Sequence, residues 1–174
     1  NINIFKELLE VVAGYRQKYG QSVRVTVIPV GRKMVKACLK LNLPGLTVEP
    51  AKGVDSKSGG DAVKTFTRTV EDRFLSEEFD RVDLLYMNFQ SVSRQRVKCD
   101  SLLPVSSESF TAEGVKALCR PYIFEPDAAT IFVSVLPMFL LAVVQEVFTE
   151  NRASEQAARI MACLLYTSDA ADEL

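Results

Sequence analysis

The sequence predicts an α/β domain that runs into one long helix. Three observations carry the expectation. Amphipathic helical stretches alternate with short β-branched runs up to residue 126. Two adjacent strand-like runs, Val82–Phe89 and Arg94–Leu103, follow one another closely. Beyond Asp127, helical character is kept to at least Met161.

The elements follow in order. Ile2–Tyr19 carries Phe5, Leu8, Leu9, Val12 and Tyr15 on one helical face, with Asn1 or Asn3 as N-cap and Gly20 as its close. Val23–Val30 is a β-branched strand whose end is restricted by Pro29. Gly31-Arg32-Lys33 turns the chain into a helix over Lys33–Lys40, and Leu46–Val48 is a short strand. Pro50–Gly60 is a surface loop with three glycines. Asp61 then caps a helix with Val63, Phe66, Val70 and Phe74 on its apolar face. Val82–Phe89 is expected to be a strand buried on both faces, and the more polar Arg94–Leu103 a strand near a sheet edge. Pro104–Arg120 reads as loop, Tyr122-Ile123-Phe124 as a last short strand, and Asp127 as the cap of the long helix.

A chain of 174 residues with 48% hydrophobic and 25% charged residues has the composition of a globular domain with a real core. A net charge of −1 gives no reason to expect nucleic acid. There is no histidine, which removes Ser/His/Asp and Cys/His mechanisms; the four scattered cysteines form no CxxC pair. No metal site, cofactor site or catalytic constellation is expected. The opening residues hold no targeting signal and read as though the chain begins mid-protein.

Four local features invite a sharper reading and receive a plain one. Gly31-Arg32-Lys33 is far short of a phosphate loop and reads as a solvated turn. Glu77, Glu78 and Asp80 read as a solvated helix end rather than an acid/base pair. Lys98 beside Cys99, and Arg120 beside Cys119, put a cation next to a thiol. Neighbours on a strand point to opposite faces, so sequence adjacency alone is weak evidence for a nucleophile. Ala128–Val144 is uncharged over 17 residues but contains Pro137, and a span needs about 20 residues. It is expected to be buried between the sheet domain and another helix, with no direct membrane span.

The long helix carries the strongest pattern. Leu140, Val144, Val147, Asn151, Ser154, Ala158 and Met161 recur in alternating steps of four and three, a coiled-coil seam. Most of its side chains shrink along the chain, so a partner helix would approach closely and each contact would contribute about 1 kcal/mol or less. Val144, Val147, Asn151, Ser154, Glu155, Ala158, Arg159 and Met161 are therefore the candidate partner interface. Glu155 and Arg159 stand one turn apart and are placed to pair or to reach a partner.

Several stretches resemble the gamma subunit of F-type ATP synthase. Tyr122-Ile123-Phe124-Glu125-Pro126 resembles the strand leading into that family's final helix, and Ser154 to Ala162 (SEQAARIMA) is similar to its SEHAARM signature, with Ile160 where methionine is usual. Leu84–Ser91 (LLYMNFQS) followed by Leu102-Leu103-Pro104, and more weakly Val27–Lys33 and Asn1–Ile4, match in the same order. The resemblance implies a partial Rossmann-like three-layer domain over residues 1–126 and the start of a coiled-coil-forming shaft helix over 127–162. It implies a non-catalytic rotor subunit in the central stalk that couples proton flow to ATP synthesis. The implied partners are the alpha and beta subunits of the catalytic hexamer, epsilon/delta-type stalk subunits and the proton-carrying membrane ring. The implied location is peripheral on an energy-transducing membrane, with the mitochondrial inner membrane favoured over a bacterial plasma membrane. A stand-alone α/β binding module and a single-span membrane protein are the alternatives.

The family's N-terminal helix, its Gly-Leu-Cys-Gly strand and most of its C-terminal helix have no counterpart in the sequence. Nor does a plastid-type insertion with paired cysteines. Cys163–Leu174 (CLLYTSDAADEL) resembles a translated sequencing adapter and is expected to be an artefact. Without Asp169, Asp172 and Glu173 the acidic count falls from 22 to 19 against 21 basic residues, a net charge of about +2.

Overall fold

The computed structural model describes residues 2–41, 43–105 and 123–172, the last six by backbone alone. Four helices and four strands occur among them: α1 (Ile2–Tyr19), β1 (Val25–Val27), α2 (Arg32–Cys38), β2 (Leu46–Val48), α3 (Gly60–Leu75), β3 (Val82–Ser91), β4 (Arg94–Leu103) and α4 (Ala128–Asp172). The coarse expectation, mixed helix and sheet followed by a long helix, holds. Cys119 and Tyr122 lie outside the described residues, as does nearly all of the Pro104–Arg120 segment.

The strands form two separate pairs rather than one sheet. β1 and β2 run parallel, Val25 opposite Leu46 and Val27 opposite Val48, with α2 as the crossover of a small βαβ unit. β1 keeps three of the eight residues expected, because its partner is only three residues long. The backbone still pairs past the ladder, with the Glu49 and Ala51 amides donating to the Val27 and Pro29 carbonyls at 2.9 and 3.2 Å. α2 opens at Gly31, held at φ 91° and ψ 140°, where a side chain is disfavoured.

β3 and β4 form an antiparallel hairpin whose turn is Val92–Ser93. The register slips twice, at Gln90 on β3 and at Leu102 on β4. The second slip matters for the core. Consecutive strand residues normally face opposite ways, yet Leu102 and Leu103 are both buried, and the bulge allows it. Along β3 only Tyr86 is fully buried and the rest of Val82–Phe89 is half-covered, so the expected burial on both faces is partial. β4 is exposed at five of its ten residues and buried at its Leu102–Leu103 end.

The hairpin lies between α1 and α4, and α3 packs on α4. The core is Val54, Val63, Leu102, Leu103, Leu140 and Val144, with Phe66 of α3 set edge-on to Phe148 of α4 at 6.3 Å. α3 buries Val63, Thr67 and Val70 on the stripe its periodicity predicts. Its cap is not Asp61, as expected, but Gly59; Asp61 sits in the first turn, where its charge meets the helix dipole. Asn3 likewise lies inside α1 and not at its cap. Gly20, at φ 89°, closes α1 as expected, its amide donating to the Arg16 carbonyl at 3.0 Å.

α1 is fastened to the hairpin by Tyr15, whose hydroxyl donates to Asp83 Oδ2, while Arg81 donates to Asp83 Oδ1 at 2.9 Å. Partial burial, and then the hydrogen bond to Asp83, push the Tyr15 pKa up to about 12. A raised folded-state pKa means that this contribution is complete below pH 10 and is lost as the pH climbs through about 12. The expected result of an alkaline absorbance titration is a late phenolate step that disappears in Tyr15→Phe. A step unchanged by that substitution would show that Tyr15 is not its source.

Candidate partner interface

α4 is 45 residues long and begins where the sequence places it. The Asp127 carboxylate accepts from the Thr130 amide at 2.9 Å and from its hydroxyl at 2.6 Å. Those two bonds hold the Asp127 carboxyl below the usual carboxylate range. Pro137 sits inside the helix without ending it.

The expected burial of Ala128–Val144 fails along most of the segment. Leu140 and Val144 are 1% exposed, but Val133 is 68% and Met138 62% exposed, and Phe132 and Val135 also face outward. The reason is geometric: among the described residues, α3, the hairpin and the loop around Val54 cover one stripe of this part of the helix. By length and composition alone, one 18-residue stretch of α4 is apolar enough to cross a membrane, with mean hydropathy 2.2. Leu140 and Val144, however, are already committed to the core.

The candidate interface residues divide into two groups. Val144 and Ser154 are buried inside the chain, and Val147, Asn151, Glu155 and Met161 are half-buried. Ala158 and Arg159 are exposed. After Ser154 the covered face turns to Ala157, 4% exposed and one residue off the expected seam. Arg159 pairs with Glu155 at 2.5 Å along the helix, the intrahelical arrangement. Ile160 is 51% exposed, so the SEQAARIMA stretch presents Ala158, Arg159 and Ile160 outward.

The inner residues of the seam meet the edge of β3 that faces away from β4. The Met87 amide donates to Asn151 Oδ1 at 3.4 Å, and the Ser154 hydroxyl donates to the Met87 carbonyl at 3.1 Å. Glu150 accepts from the Phe89 amide at 2.6 Å and from Asn88 Nδ2 at 3.2 Å. A strand edge presents unpaired amides and carbonyls, and here the helix supplies partners for them. On the other side Arg152 donates to the Ser58 carbonyl at 3.3 Å. Glu150 was not singled out from the sequence. The one available signal was an acidic side chain directly beside Asn151, on the helix face expected to be covered.

The remaining sequence candidates resolve into structure. Arg32 and Lys33 are exposed in the first turn of α2, not in a turn before it. Glu78 pairs with Arg73 at 2.5 Å, Arg73 also reaches Glu49 at 2.9 Å, and its guanidinium lies over the Phe79 ring. Arg73 holds the Glu78 carboxyl below its ordinary range. The Cys99 thiol is pushed up, not down, by partial burial and then by the Asp83 and Asp100 carboxylates, and Lys98 is engaged with Asp100 at 2.8 Å. A recess of about 260 Å³ between α1 and the hairpin is lined by Tyr15, Lys18, Arg81, Asp83 and Cys99 among others. Tyr15, Arg81 and Asp83 are already tied to one another there. No three metal-ligating side chains converge among the described residues.

The family profile described as ATP synthase matches residues 1–174. The chain is 29% identical over 174 residues to the ATP synthase gamma chain of Bacteroides fragilis, covering 98% of this chain and 58% of that one. It is 30% identical over 182 aligned residues to the ATP synthase gamma chain of Bacteroides thetaiotaomicron, covering 98% and 59%. It is 26% identical over 175 residues to that of Psychrobacter arcticus, covering 99% and 58%. The chain thus spans under two thirds of the length of these relatives. All three are bacterial, which gives no support to the mitochondrial membrane favoured from the sequence.

Proposed function

The chain belongs to the ATP synthase gamma-chain family, and from that premise we propose that it is part of a rotor subunit in the central stalk of an F-type ATP synthase. The observation that carries the reading is the family match along all 174 residues. In this reading residues 1–126 belong to a Rossmann-like three-layer domain, and residues 127–162 begin a shaft helix that forms a coiled coil with a helix outside the chain. Asymmetric contacts between the turning shaft and the alpha/beta hexamer bias each catalytic site between conformations, which couples proton flow to ATP synthesis. The gamma chain contributes no catalytic residue of its own.

The late part of α4, with exposed Ala158 and Arg159 and half-buried Met161, is the surface through which the shaft meets its partners. Val144, Val147, Asn151, Ser154 and Glu155 set the helix against its own domain and against the second shaft helix. The α/β domain faces epsilon/delta-type subunits and the membrane ring. The complex is peripheral on an energy-transducing membrane, and the bacterial relatives favour a bacterial plasma membrane.

The test is assembly of the full-length gamma chain with alpha and beta subunits. The expected result is co-purification and ATP hydrolysis that drives proton pumping in membrane vesicles. Ala158→Trp, which adds bulk to an exposed small-residue position, is expected to reduce assembly. Normal pumping in vesicles from which this chain is absent would overturn the reading.

A further inference from the structure

We propose that Glu150 is the residue that locks the long helix to the sheet, and that with Asn151 and Ser154 it forms the joint through which turning force passes between shaft and α/β domain. The force-bearing role rests on the rotor reading above, whereas the joint rests on geometry alone.

The three side chains lie within little more than one turn of α4 and converge on the outer edge of β3. Met87 and Phe89 are two apart on the strand, so their main-chain groups point to the same edge, away from β4. The carboxylate of Glu150 takes the shortest contact, 2.6 Å from the Phe89 amide, and adds Asn88 Nδ2 at 3.2 Å. A hydrogen bond to an ionised acceptor is roughly twice as strong as a neutral one. Asn151 and Ser154 then take the amide and the carbonyl of Met87.

Apolar packing alone does not fix how a helix is turned. The contacts of Leu140 and Val144 are non-directional, and a small slide exchanges one apolar neighbour for another. The joint is directional. A screw step of one residue shifts a helix by about 1.5 Å and turns it by about 100°, and either movement would separate all of these pairs together. The position along α4 matters as well. The joint lies between the apolar stripe at Leu140–Val144 and the exposed Ala158–Ile160 turn. A partner gripping the helix at Arg159 or beyond therefore pulls on the sheet through residues 150–154.

The experiment uses the assembled complex with the full-length gamma chain, read in two ways. Amide hydrogen exchange at Met87 and Phe89 reports the joint, and proton pumping per ATP hydrolysed reports force transfer. Glu150→Ala is expected to lower protection at Phe89 roughly tenfold or more, the size of one lost charge-assisted bond, and to lower pumping per ATP. Glu150→Gln keeps an acceptor oxygen in place and is expected to restore most of both. Should Glu150→Ala prevent assembly, Asn151→Leu is read instead, with protection at Met87 expected to fall.

Unchanged exchange in these variants, or a Gln variant as impaired as the Ala variant, overturns the joint. Lost protection with unchanged pumping per ATP overturns the force-bearing role and leaves a purely architectural contact. An unsubstituted chain that neither assembles nor pumps overturns the rotor reading, and the force-bearing role with it. Exchange at Phe89 in the gamma chain alone then still decides whether the joint exists.

Discussion

Leu140→Ala is expected to lower the unfolding free energy by about 3–4 kcal/mol, toward the upper part of the range for a buried leucine. Leu140 is 1% exposed and sits in the cluster where four parts of the chain meet: Val54 of the loop before α3, Val63 of α3, Leu102 and Leu103 at the bulged end of β4, and Val144 one turn along α4. Leu103 is fixed by its pairing with Val82 in the hairpin, and Val63 and Val144 are fixed by their own helices. The space left by the removed side chain therefore has few ways to close, which is the condition under which a cavity costs most. Urea unfolding followed by circular dichroism measures the effect. Met138→Ala, on the 62% exposed side of the same helix, is the control, expected within about 0.5 kcal/mol of the unsubstituted chain. Equal losses for the two would mean that the buried stripe is not the core.

Gly31→Val is expected to cost about 2–3 kcal/mol, and for a different reason. A side chain at this position would find room: its Cβ would meet only Ser56, at 3.8 Å. The penalty is conformational, because φ 91° with ψ 140° is a region that residues with a Cβ scarcely enter. If the backbone turned to a negative φ to escape, it would re-aim the chain between β1 and α2 and disturb the βαβ unit. Gly59 makes the comparison sharp. It also precedes a helix, but its φ of −77° suits any residue, and nothing lies within 4 Å of an added Cβ. Gly59→Ser supplies the missing side-chain cap of α3 and is expected to gain a few tenths of a kcal/mol. Opposite signs at these two glycines, in the same unfolding assay, are the predicted outcome. A loss at both would point to crowding rather than backbone strain.

Periodic elements were legible because burial repeats along them. The α1 face with Val12 and the α3 face with Val63 and Val70 both appear as expected. So does the Asp127 cap, whose carboxylate has a donor three residues ahead. Legibility failed where the outcome depends on a neighbour elsewhere in the chain. β1 stops at Val27 because β2 offers no longer partner, a fact its own β-branched residues do not contain. Ile123 and Phe124 read as a strand, yet both are outside any strand and Ile123 is 95% exposed. The apolar run Ala128–Val144 marked residues able to be buried, but how much of it is covered depends on what stands beside it. The contacts that α4 makes within the chain were half legible for the same reason. A seam of small side chains shows in the spacing of Val144, Asn151 and Ser154. An unpaired amide at Phe89 leaves no trace in residue identities, so the role of Glu150 became visible only in three dimensions.

The meeting of α4 with β3 is lopsided in its chemistry. Three of the strand's four bonding groups are main-chain atoms, which every residue except proline provides in full. Exchanges at Met87 and Phe89 that keep the strand extended should therefore pass with little effect on this contact. The helix has no such freedom, since a carboxylate, an amide and a hydroxyl must each arrive at a set height.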